Sequence, residues 1–348
     1  MTSLSLQHEF NNLELDLNGR SILVTGGTGS FGQQFVRTVL AEYQPKRVAI
    51  FSRDEFKQSE MNSELSSSEY PALRYFIGDV RDRDRLEMAM QDIDIVIHAA
   101  ALKQVPAAEY NPFECISTNV LGAENVIQSA IRCDVKSVIA LSTDKAANPV
   151  NLYGASKLAA DKLFVAANNL SGSKPTRFSV VRYGNVLGSR GSVIPLFKKL
   201  NQEKVDKLPI TDPEMSRFWI TLQQGVDFVL SSLGMMQGGE IFVPKLPSMK
   251  LKDIAKAVAP DISHEIVGIR PGEKLHEVLI TPEDARSTLE LDDRYIVLPA
   301  FPMWRTESFR YEESGARAVK TGFEYTSDSN TDWLSASEIS SALMKNTF

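Results

Sequence analysis

Six short apolar runs rich in β-branched residues alternate with longer amphipathic segments along the first half of this 348-residue chain. The runs are SILVTGG (21–27), RVAIFSR (47–53), ALRYFIGDV (72–80), DIVIHAA (94–100), SVIALST (137–143) and FSVVRYGNV (178–186). Runs without polar alternation are typical of strands covered on both faces. The segments between them, such as FGQQFVRTVLAEY and GAENVIQSAIRC, carry apolar residues at helical spacing. The alternation predicts an α/β fold built on a doubly wound parallel sheet of the Rossmann type.

The pattern changes after the sixth run, where shorter elements and more prolines follow. We predict a polar N-terminal extension over 1–18 and a nucleotide-binding domain over 19–184, to which the chain returns at about 219–244. Residues 185–218 and 245–348 are then a smaller substrate-binding domain over the carboxyl ends of the strands, with a polar C-terminal tail.

Composition narrows the function classes. The net charge of −6 and the pI near 5.5 argue against a nucleic-acid-binding face. Cys115 and Cys133 lie in segments typical of a domain interior, which favours buried thiols and a reducing compartment over a disulfide. A secretory signal is absent from the N-terminal sequence, and no uncharged apolar run reaches the roughly 18 residues that span a bilayer. We expect a cytoplasmic protein with no membrane segment.

A glycine-rich motif, TGGTGSFG, directly follows the first strand and opens the first helix. Gly26, Gly29 and Gly32 have the spacing G-x-x-G-x-x-G. Glycines at these positions let the backbone approach a pyrophosphate, and the helix N-terminus offers free N–H groups. The motif therefore predicts a dinucleotide site that includes Thr28, Ser30 and Phe31; the alternative is a turn that serves packing alone.

The end of the second strand discriminates between cofactors. An NAD site normally carries an acidic residue there for the ribose hydroxyls, whereas this chain reads FSRDEFK, with Ser52 and Arg53 first. Arg53, supported by Lys57, can pair with a 2′-phosphate. This favours NADP, although Asp54 leaves NAD open.

Four further positions border the predicted cofactor site. Asp79 and Val80, after the third strand, are placed to meet an adenine. Ala99 and Ala100 are small enough to let a cofactor lie against the end of the fourth strand, and an ordinary small-residue core is the alternative there.

The stretch LSTDKAANPVNLYGASK ends the fifth strand and begins the next helix. Thr143, Asp144 and Lys145 fall at the carboxyl end of the strand, where ligands bind in open α/β sheets. Tyr153 and Lys157 lie four apart, on one face of the helix. We expect the phenol to accept a proton from a substrate alcohol, with its pKa lowered by Lys157 and by a positively charged nicotinamide. A solvated turn before an ordinary helix is the alternative.

The two motifs together resemble the extended short-chain dehydrogenase/reductase superfamily. The longer strings IGDVRD, HAAALKQVPAAEYNP, RYGNVLGSRGSVIPLFKK, RFWIT, GGEIFVPKLPSMK and RPGEKLHE resemble the inverting UDP-N-acetylglucosamine 4,6-dehydratases that open pseudaminic acid synthesis, whose product usually decorates flagellin. The resemblance runs from about residue 21 to about residue 300. It implies UDP-N-acetylglucosamine as substrate, tightly held NADP and a homo-oligomer, either a dimer or a hexamer.

The resemblance also implies the order of the chemistry. Carbon 4 of the sugar is oxidised, water is lost across carbons 5 and 6, and the hydride returns to carbon 6, giving UDP-2-acetamido-2,6-dideoxy-β-L-arabino-hexos-4-ulose. We expect a protonated Asp144 to be the acid and Lys145 to be the base, its pKa depressed by burial and by positive neighbours. Retaining dehydratases have Asp-Glu in place of Asp-Lys, and epimerases are expected to have neither.

Family resemblance adds further residues. The positions that match the family's substrate site are Lys103, Thr143, Asn185, Thr211, Arg217, Arg270 and Glu273, with the two arginines on the diphosphate and Thr211 near the uracil. Those that match its cofactor site are Lys103, Leu141, Ser142, Tyr153, Lys157 and Val186. His98 is expected to be a satisfied core residue and His276 a packing residue, and no metal-ligand spacing is present.

Two other functions stay open at this point. A nucleotide-sugar 4-epimerase would share the glycine motif and the Tyr-Lys pair. A catalytically silent NADP-binding protein would keep the fold without turnover.

Overall fold

A computed structural model describes Phe10 and residues 15–189, 192–304 and 309–344. Its strands are β1 (Ser21–Thr25), β2 (Arg47–Ser52), β3 (Leu73–Ile77), β4 (Ile95–His98), β5 (Ser137–Thr143), β6 (Arg177–Tyr183), β7 (Asn185–Val186), β8 (Lys207–Ile210), β9 (Ser216–Ile220), β10 (Ile241–Pro244), β11 (Ser248–Lys250), β12 (Ser263–Ile266), β13 (Val278–Ile280), β14 (Thr288–Glu290), β15 (Arg294–Val297), β16 (Arg317–Ala318) and β17 (Tyr325–Thr326).

The α-helices lie between and around these strands. They are α1 (Ser30–Glu42), α2 (Glu55–Glu64), α3 (Arg83–Met90), α4 (Val105–Tyr110), α5 (Pro112–Ile116), α6 (Gly122–Arg132), α7 (Leu152–Ala167), α8 (Val193–Gln202), α9 (Leu222–Met235), α10 (Leu251–Val258) and α11 (Ala336–Met344). A π-helical turn over Ser117–Leu121 joins α5 to α6, and short 3₁₀ turns cover Asp144–Ala146, Asp284–Ser287 and Tyr311–Ser314.

The main sheet confirms the predicted doubly wound fold. Seven strands run parallel in the order β10-β6-β5-β4-β1-β2-β3, and the order reverses between β1 and β4. Every residue of β1 and β4 is buried, as expected of strands with helices on both faces. The reversal opens a crevice at the carboxyl ends of these strands, which is where α/β sheets bind ligands.

Two features of the sheet were not predicted. Strands β15, β14 and β16 continue it in antiparallel pairing beyond β10. The sixth predicted run also divides in two, because β6 belongs to the main sheet whereas β7 pairs with β9 in a small separate sheet. The division falls at Gly184, where a Cβ would lie 2.7 Å from the Phe218 backbone oxygen.

A second, smaller apolar core forms under the carboxyl ends of the main strands. Its members come from α8, β8, β9, α10 and α11, and include the fully buried Trp219, Phe197 and Ile254. Strands β7, β9 and β11 form a three-stranded sheet beside it. The division of the chain into the predicted domains stays a prediction, although β14–β16, from the predicted second domain, hydrogen-bond into the main sheet.

The predicted N-terminal extension lies mostly outside the described residues. Two of its apolar side chains are described and are buried, Phe10 against the ring of Phe228 and Leu17 in the main core. Cys115 is buried, Cys133 is partly buried, and both are free thiols. Among the described residues, no helix has the length and apolarity needed to cross a membrane.

Candidate active site

Two adjoining cavities open at the carboxyl ends of the parallel strands. The first, of about 690 Å³, is lined by every residue that the sequence predicts for the cofactor: Gly26, Thr28, Gly29, Ser30, Phe31, Gly32, Ser52, Arg53, Lys57, Asp79, Val80, Ala99, Ala100, Lys103, Leu141, Ser142, Tyr153, Lys157 and Val186. The second, of about 390 Å³, is lined by Thr211, Arg217, Arg270 and Glu273. Lys145 and Asn185 line both, and Thr143 and Asp144 line the first. The roles of these residues stay predictions, but the fold brings them together.

The glycine motif forms the floor of the first cavity. Gly26 has φ +68°, and a Cβ there would lie 2.8 Å from the Ala100 backbone nitrogen, so only glycine fits between β1 and the end of β4. The next motif glycine, Gly29, is the N-cap of helix α1, and no described side chain caps the helix. Its N–H groups are therefore available to an anion such as a pyrophosphate.

Asp54, the carboxylate that kept NAD as an alternative cofactor, is bonded within its own helix. Asp54 caps α2, accepting a hydrogen bond from the Lys57 backbone N–H at 3.1 Å and pairing with Lys57 Nζ at 3.0 Å. These contacts hold the pKa of Asp54 below its usual value. The Arg53 guanidinium is more than half exposed and lies 3.8 Å from Asp79. It is therefore an exposed cation at the wall of the first cavity, with Asp79 as its neighbour.

Asp144 and Lys145 sit in a single 3₁₀ turn directly after β5. Thr143 Oγ1 and Lys145 Nζ both donate to Asp144 Oδ1, at 2.8 and 3.0 Å. The Asp144 carboxyl is 1% exposed, and its Oδ2 has no hydrogen-bond partner among the described residues. Burial, reinforced by the nearby Glu277 carboxylate, raises the pKa of Asp144. A raised pKa supports the predicted acid.

The predicted depression of the Lys145 pKa is wrong. Burial alone favours the neutral amine, but Asp144 Oδ1 and Glu277 Oε1 lie 3.0 and 3.2 Å from Nζ. These two carboxylates outweigh burial and the more distant Arg217 guanidinium, so the pKa of Lys145 is raised above its usual value. The side chain is held as an ammonium, and it must give up a proton before it can act as a base.

The Tyr-Lys pair is in place on α7, although its electrostatics differ from the prediction. Burial raises the pKa of Tyr153 to about 12, with Lys145 opposing the rise. Lys157 Nζ donates to the Leu141 carbonyl at 2.6 Å, and burial lowers the pKa of Lys157 against the pull of Asp161. The protein's own groups therefore do not lower the phenol's pKa, because desolvation of the hydroxyl dominates.

A glycine on α7 sets the distance between the helix and the Asp144-Lys145 turn. A Cβ at Gly154 would lie 2.2 Å from the Lys145 carbonyl oxygen, which is far inside van der Waals contact. The start of the helix is fixed by Asn151, whose Oδ1 accepts from the Gly154 N–H at 2.7 Å and whose Nδ2 donates to the Gly272 carbonyl at 2.7 Å. Tyr153 is thus held beside the turn by backbone packing.

The sequence analysis missed Glu277, which is 2% exposed and lines the second cavity. Its carboxylate contacts Lys145 Nζ at 3.2 Å, Arg217 Nε at 3.5 Å and Lys274 Nζ at 3.7 Å. Burial would raise the pKa of Glu277, but the three cations lower it below its usual value. Glu277 is the last residue of the string RPGEKLHE. Its position in the sequence does not indicate which side chains it contacts, because Lys145 and Arg217 are distant along the chain.

The predicted diphosphate arginines differ in availability. Arg217 is 8% exposed and donates to the backbone carbonyls of Ser216, Leu275 and Lys274 at 2.7 to 3.0 Å. Most of its donors are therefore used inside the protein. Arg270 is 69% exposed and pairs with Glu273 at 2.6 Å, so its remaining donors face the second cavity's rim.

Other predicted residues are placed as follows. Asn185 Oδ1 is a buried acceptor that has no hydrogen-bond partner among the described residues. Burial lowers the pKa of Lys103. Thr211 Oγ1 lies 3.1 Å from the Met215 sulfur. His98 is buried with Nδ1 2.8 Å from Thr25 Oγ1, and His276 Nδ1 lies 2.8 Å from Ser216 Oγ. In the described ranges no group of three or more potential metal ligands is present.

The chain is similar to several known proteins. Residues 22–299 match the family described as polysaccharide biosynthesis protein. The chain is 57% identical over 325 residues to a Campylobacter jejuni protein named UDP-N-acetylglucosamine 4,6-dehydratase (inverting), covering 92% of this chain and 96% of the relative. A Rickettsia conorii protein named UDP-glucose 4-epimerase is 42% identical over 335 residues, covering 93% and 95%. The X-ray structure of Pen from Bacillus thuringiensis superposes with a TM-score of 0.86 at 37% identity, covering 95% of this chain and all of that one.

Proposed function

We propose that this chain, which belongs to the polysaccharide biosynthesis protein family and to that of the inverting UDP-N-acetylglucosamine 4,6-dehydratases, is itself such a dehydratase. It would remove water from UDP-N-acetylglucosamine with inversion at carbon 5. The observation that carries the proposal is the ion pair between the buried Asp144 and the partly exposed Lys145, of which Lys145 lines both cavities. One cavity has a dinucleotide motif as its floor, and the other has arginines at its border. A sugar nucleotide lying across the junction would present its sugar to this pair.

The residues around the junction suit the successive proton movements. When bound, the dinucleotide supplies a reversible hydride acceptor for carbon 4. Tyr153 Oη, beside the turn on α7, is the group placed to take the proton of the 4-hydroxyl. Asp144, whose pKa is raised by burial, is suited to protonate the departing 6-hydroxyl when it carries a proton. Lys145 Nζ is suited to remove the hydrogen on carbon 5 once it has lost its own extra proton.

The cofactor we propose is NADP. Asp54 is capped onto α2 and paired with Lys57, so the carboxylate that would select NAD is already engaged. Arg53, more than half exposed at the cavity wall, is the cation suited to a 2′-phosphate. With Arg53 exposed and Asp54 paired with Lys57, this wall of the cavity suits a 2′-phosphate better than a ribose 2′-hydroxyl.

The second candidate is a nucleotide-sugar 4-epimerase. It rests on the 42% identity to a relative with an epimerase name. An epimerase needs the Tyr-Lys pair and the cofactor site, but it has no use for an acid and a base beside carbons 5 and 6. The buried Asp144-Lys145 pair therefore favours dehydration.

Finer points rest on the motif resemblance alone. We extend the proposal to the opening step of pseudaminic acid synthesis, for sugars transferred to flagellin, and to a homo-oligomeric enzyme, either a dimer or a hexamer. The domain division rests instead on the change of pattern along the chain, and we propose a nucleotide-binding domain over 19–184, with a return at about 219–244, and a substrate-binding domain over 185–218 and 245–348.

The proposal is tested by incubating the purified protein with UDP-N-acetylglucosamine in deuterated water, without added cofactor. We expect the product to lose one water, to carry deuterium at carbon 5 and to show an L-arabino coupling pattern by proton NMR. The nucleotide released on denaturation should be NADP. An unchanged sugar mass with an inverted 4-hydroxyl would instead identify the epimerase.

A Lys145→Ala variant tests the base. It should keep its bound nucleotide and its fold, followed by absorbance and thermal unfolding, while water loss drops by about 10²-fold or more. Water elimination at the wild-type rate would remove Lys145 from the base role.

A further inference from the structure

Glu277 is a buried carboxylate for which the dehydration chemistry above has no use. It directly precedes β13, and Ser327 holds its backbone on both sides: the Glu277 N–H donates to Ser327 Oγ, and the Ser327 N–H donates to the Glu277 carbonyl, both at 2.9 Å. Its position is therefore set by backbone contacts and does not depend on the ion pairs of its side chain. A buried charge held in this way is costly unless it is paired.

The Glu277 carboxylate is one of a group of acidic and basic side chains that contact one another where the two cavities meet. Asp144 and Glu277 flank Lys145 Nζ, and Arg217 and Lys274 flank Glu277 on its far side. Lys145 is 28% exposed toward the cavities, whereas both carboxylates are almost fully buried. Nζ is thus held between two buried carboxyl groups at the junction of the two cavities.

The same contacts pose a chemical problem. An ammonium has no lone pair, so Lys145 as held here cannot take a hydrogen from carbon. It must first lose a proton and yet stay in place. Of its two carboxyl neighbours, Asp144 is assigned as the acid and already accepts a hydrogen bond from Thr143. Glu277, 3.2 Å from Nζ, is the neighbour whose charge is free to hold the Lys145 side chain through the reaction.

We propose that Glu277 is a positioning residue for the dehydration step, whose carboxylate holds Lys145 Nζ at the cavity junction. Lys145 is 28% exposed and loses its extra proton to solvent, where one N–H bond breaks, an O–H bond forms on water or hydroxide, and the electron pair stays on nitrogen. The free amine, still held by Glu277, then takes the hydrogen of carbon 5 as a proton. Arg217 and Lys274 keep Glu277 ionised between turnovers. This inference rests on the proposed dehydratase function.

A Glu277→Gln variant separates this role from a structural one. The amide keeps the shape but has no negative charge to hold Lys145 Nζ in place, so we expect kcat for water loss to fall by about 10²-fold with little change in KM. Loss of one negative neighbour also lowers the pKa of both Asp144 and Lys145, and the residual pH–rate profile should move to lower pH on both limbs. The charged and titratable groups that face Glu277 and Lys145 are Asp144, Tyr153, Arg217 and Lys274.

Glu277→Asp and Glu214→Gln are the matched variants. The aspartate keeps the charge but retracts it by one methylene, so we expect roughly a 10-fold loss of kcat with the wild-type pH optimum. Glu214 is 59% exposed and pairs with Lys250 and Lys252 on the surface, so its amide variant should match wild type. Thermal unfolding and bound nucleotide verify that each variant is folded, and the aspartate carries the test if the glutamine variant does not fold.

The measurement is deuterium incorporation at carbon 5 together with water loss from UDP-N-acetylglucosamine, between pH 5 and pH 10. If the wild-type protein releases no water, the proposed function fails and the inference falls with it. If the wild type dehydrates, a Glu277→Gln variant with unchanged kcat and pH profile overturns the inference alone. If only the Glu277→Asp variant folds, a wild-type kcat in that variant likewise overturns the inference.

Discussion

At the scale of single residues, one cluster of buried charges in this protein is a matched set of opposite signs. Arg182 is 1% exposed and contacts Asp161 at 3.4 Å and Asp284 at 3.2 Å, and Asp161 also accepts from Ser142 at 2.7 Å. Such sets limit the desolvation cost of each charge because every member has an opposite partner. His98 differs from them, since it is fully buried as a neutral ring.

His98 should make stability depend on pH. Burial lowers the pKa of His98 to about 3 in the folded protein, against about 6.5 in the unfolded chain. Between these values the unfolded chain binds a proton that the folded protein does not, so stability is lost as pH falls below 6.5. The loss between pH 7 and pH 5 should be about 2 kcal/mol from this residue.

The measurement is the free energy of unfolding in urea at pH 7 and pH 5. A His98→Asn variant keeps an acceptor toward Thr25 without a titrating ring, and the contribution of about 2 kcal/mol should be absent from it. His264 is exposed, so His264→Asn should retain the wild-type pH dependence. Equal pH dependence in wild type and His98→Asn would contradict the prediction.

At the scale of elements, the site depends on how closely α7 lies against the turn after β5. The tight contact is between Gly154 and the Lys145 carbonyl, and it sets Tyr153 on the helix against Lys145 in the turn. Backbone-to-backbone packing of this kind cannot be relieved by a rotamer change. The geometry of the acid, the base and the phenol is therefore a property of two elements together.

A Gly154→Ala variant should break this arrangement. Its methyl group would overlap the Lys145 carbonyl oxygen, so the helix and the turn must separate, and a displacement of about 1 Å should cost about 10²-fold in kcat. Gly225 on α9 is the control, because a Cβ there meets only Tyr183 Cζ at 3.9 Å. Gly225→Ala should retain activity and gain up to about 1 kcal/mol in stability. Steady-state kinetics and thermal unfolding distinguish the two, and full activity in Gly154→Ala would refute the packing argument.

The parallel strands of the main sheet could be predicted from the sequence, whereas its short antiparallel strands could not. β5 begins and ends as expected, because a continuous apolar run covered on both faces leaves a local signature. Strands β14 and β16 have three and two residues, which is too short for any periodicity to show. Their place in the main sheet depends on β15, which pairs with β10 some fifty residues earlier in the chain.

At the scale of the whole molecule, the N-terminal segment contributes to the main core. Phe10 is 4% exposed, its ring lies 4.8 Å from that of Phe228, and the Arg294 guanidinium lies 5.7 Å from it. Helix α9, which carries Phe228, packs against α1 of the nucleotide site. The segment thus contacts a helix that supports the cofactor cavity.

A Phe10→Ala variant should therefore destabilise the whole protein. Removal of a buried phenyl ring leaves a cavity and should cost about 3 kcal/mol or more in the free energy of unfolding. Phe113 is 86% exposed, so Phe113→Ala should change stability by less than about 0.5 kcal/mol. Urea unfolding of both variants provides the comparison, and equal stabilities would show that Phe10 does not belong to the cooperative core.

The sequence by itself determined the features that depend on neighbours along the chain. Strand periodicity, the glycine spacing, and the address of Asp144 and Lys145 at a strand end are all local, and each predicted residue of the cofactor set lines one cavity. Local patterns are readable because the period of a strand or helix is set by backbone geometry.

Only the tertiary structure decided the charge state of the site. Lys145 was expected to be depressed in pKa by positive neighbours, and it is instead held as an ammonium by Asp144 and by Glu277, which lies 132 positions later. Arg217 was expected to be free for a ligand and is bonded to backbone carbonyls. The energy between two charges depends on their distance and on the burial around them, and neither quantity is written in the spacing of residues along the chain.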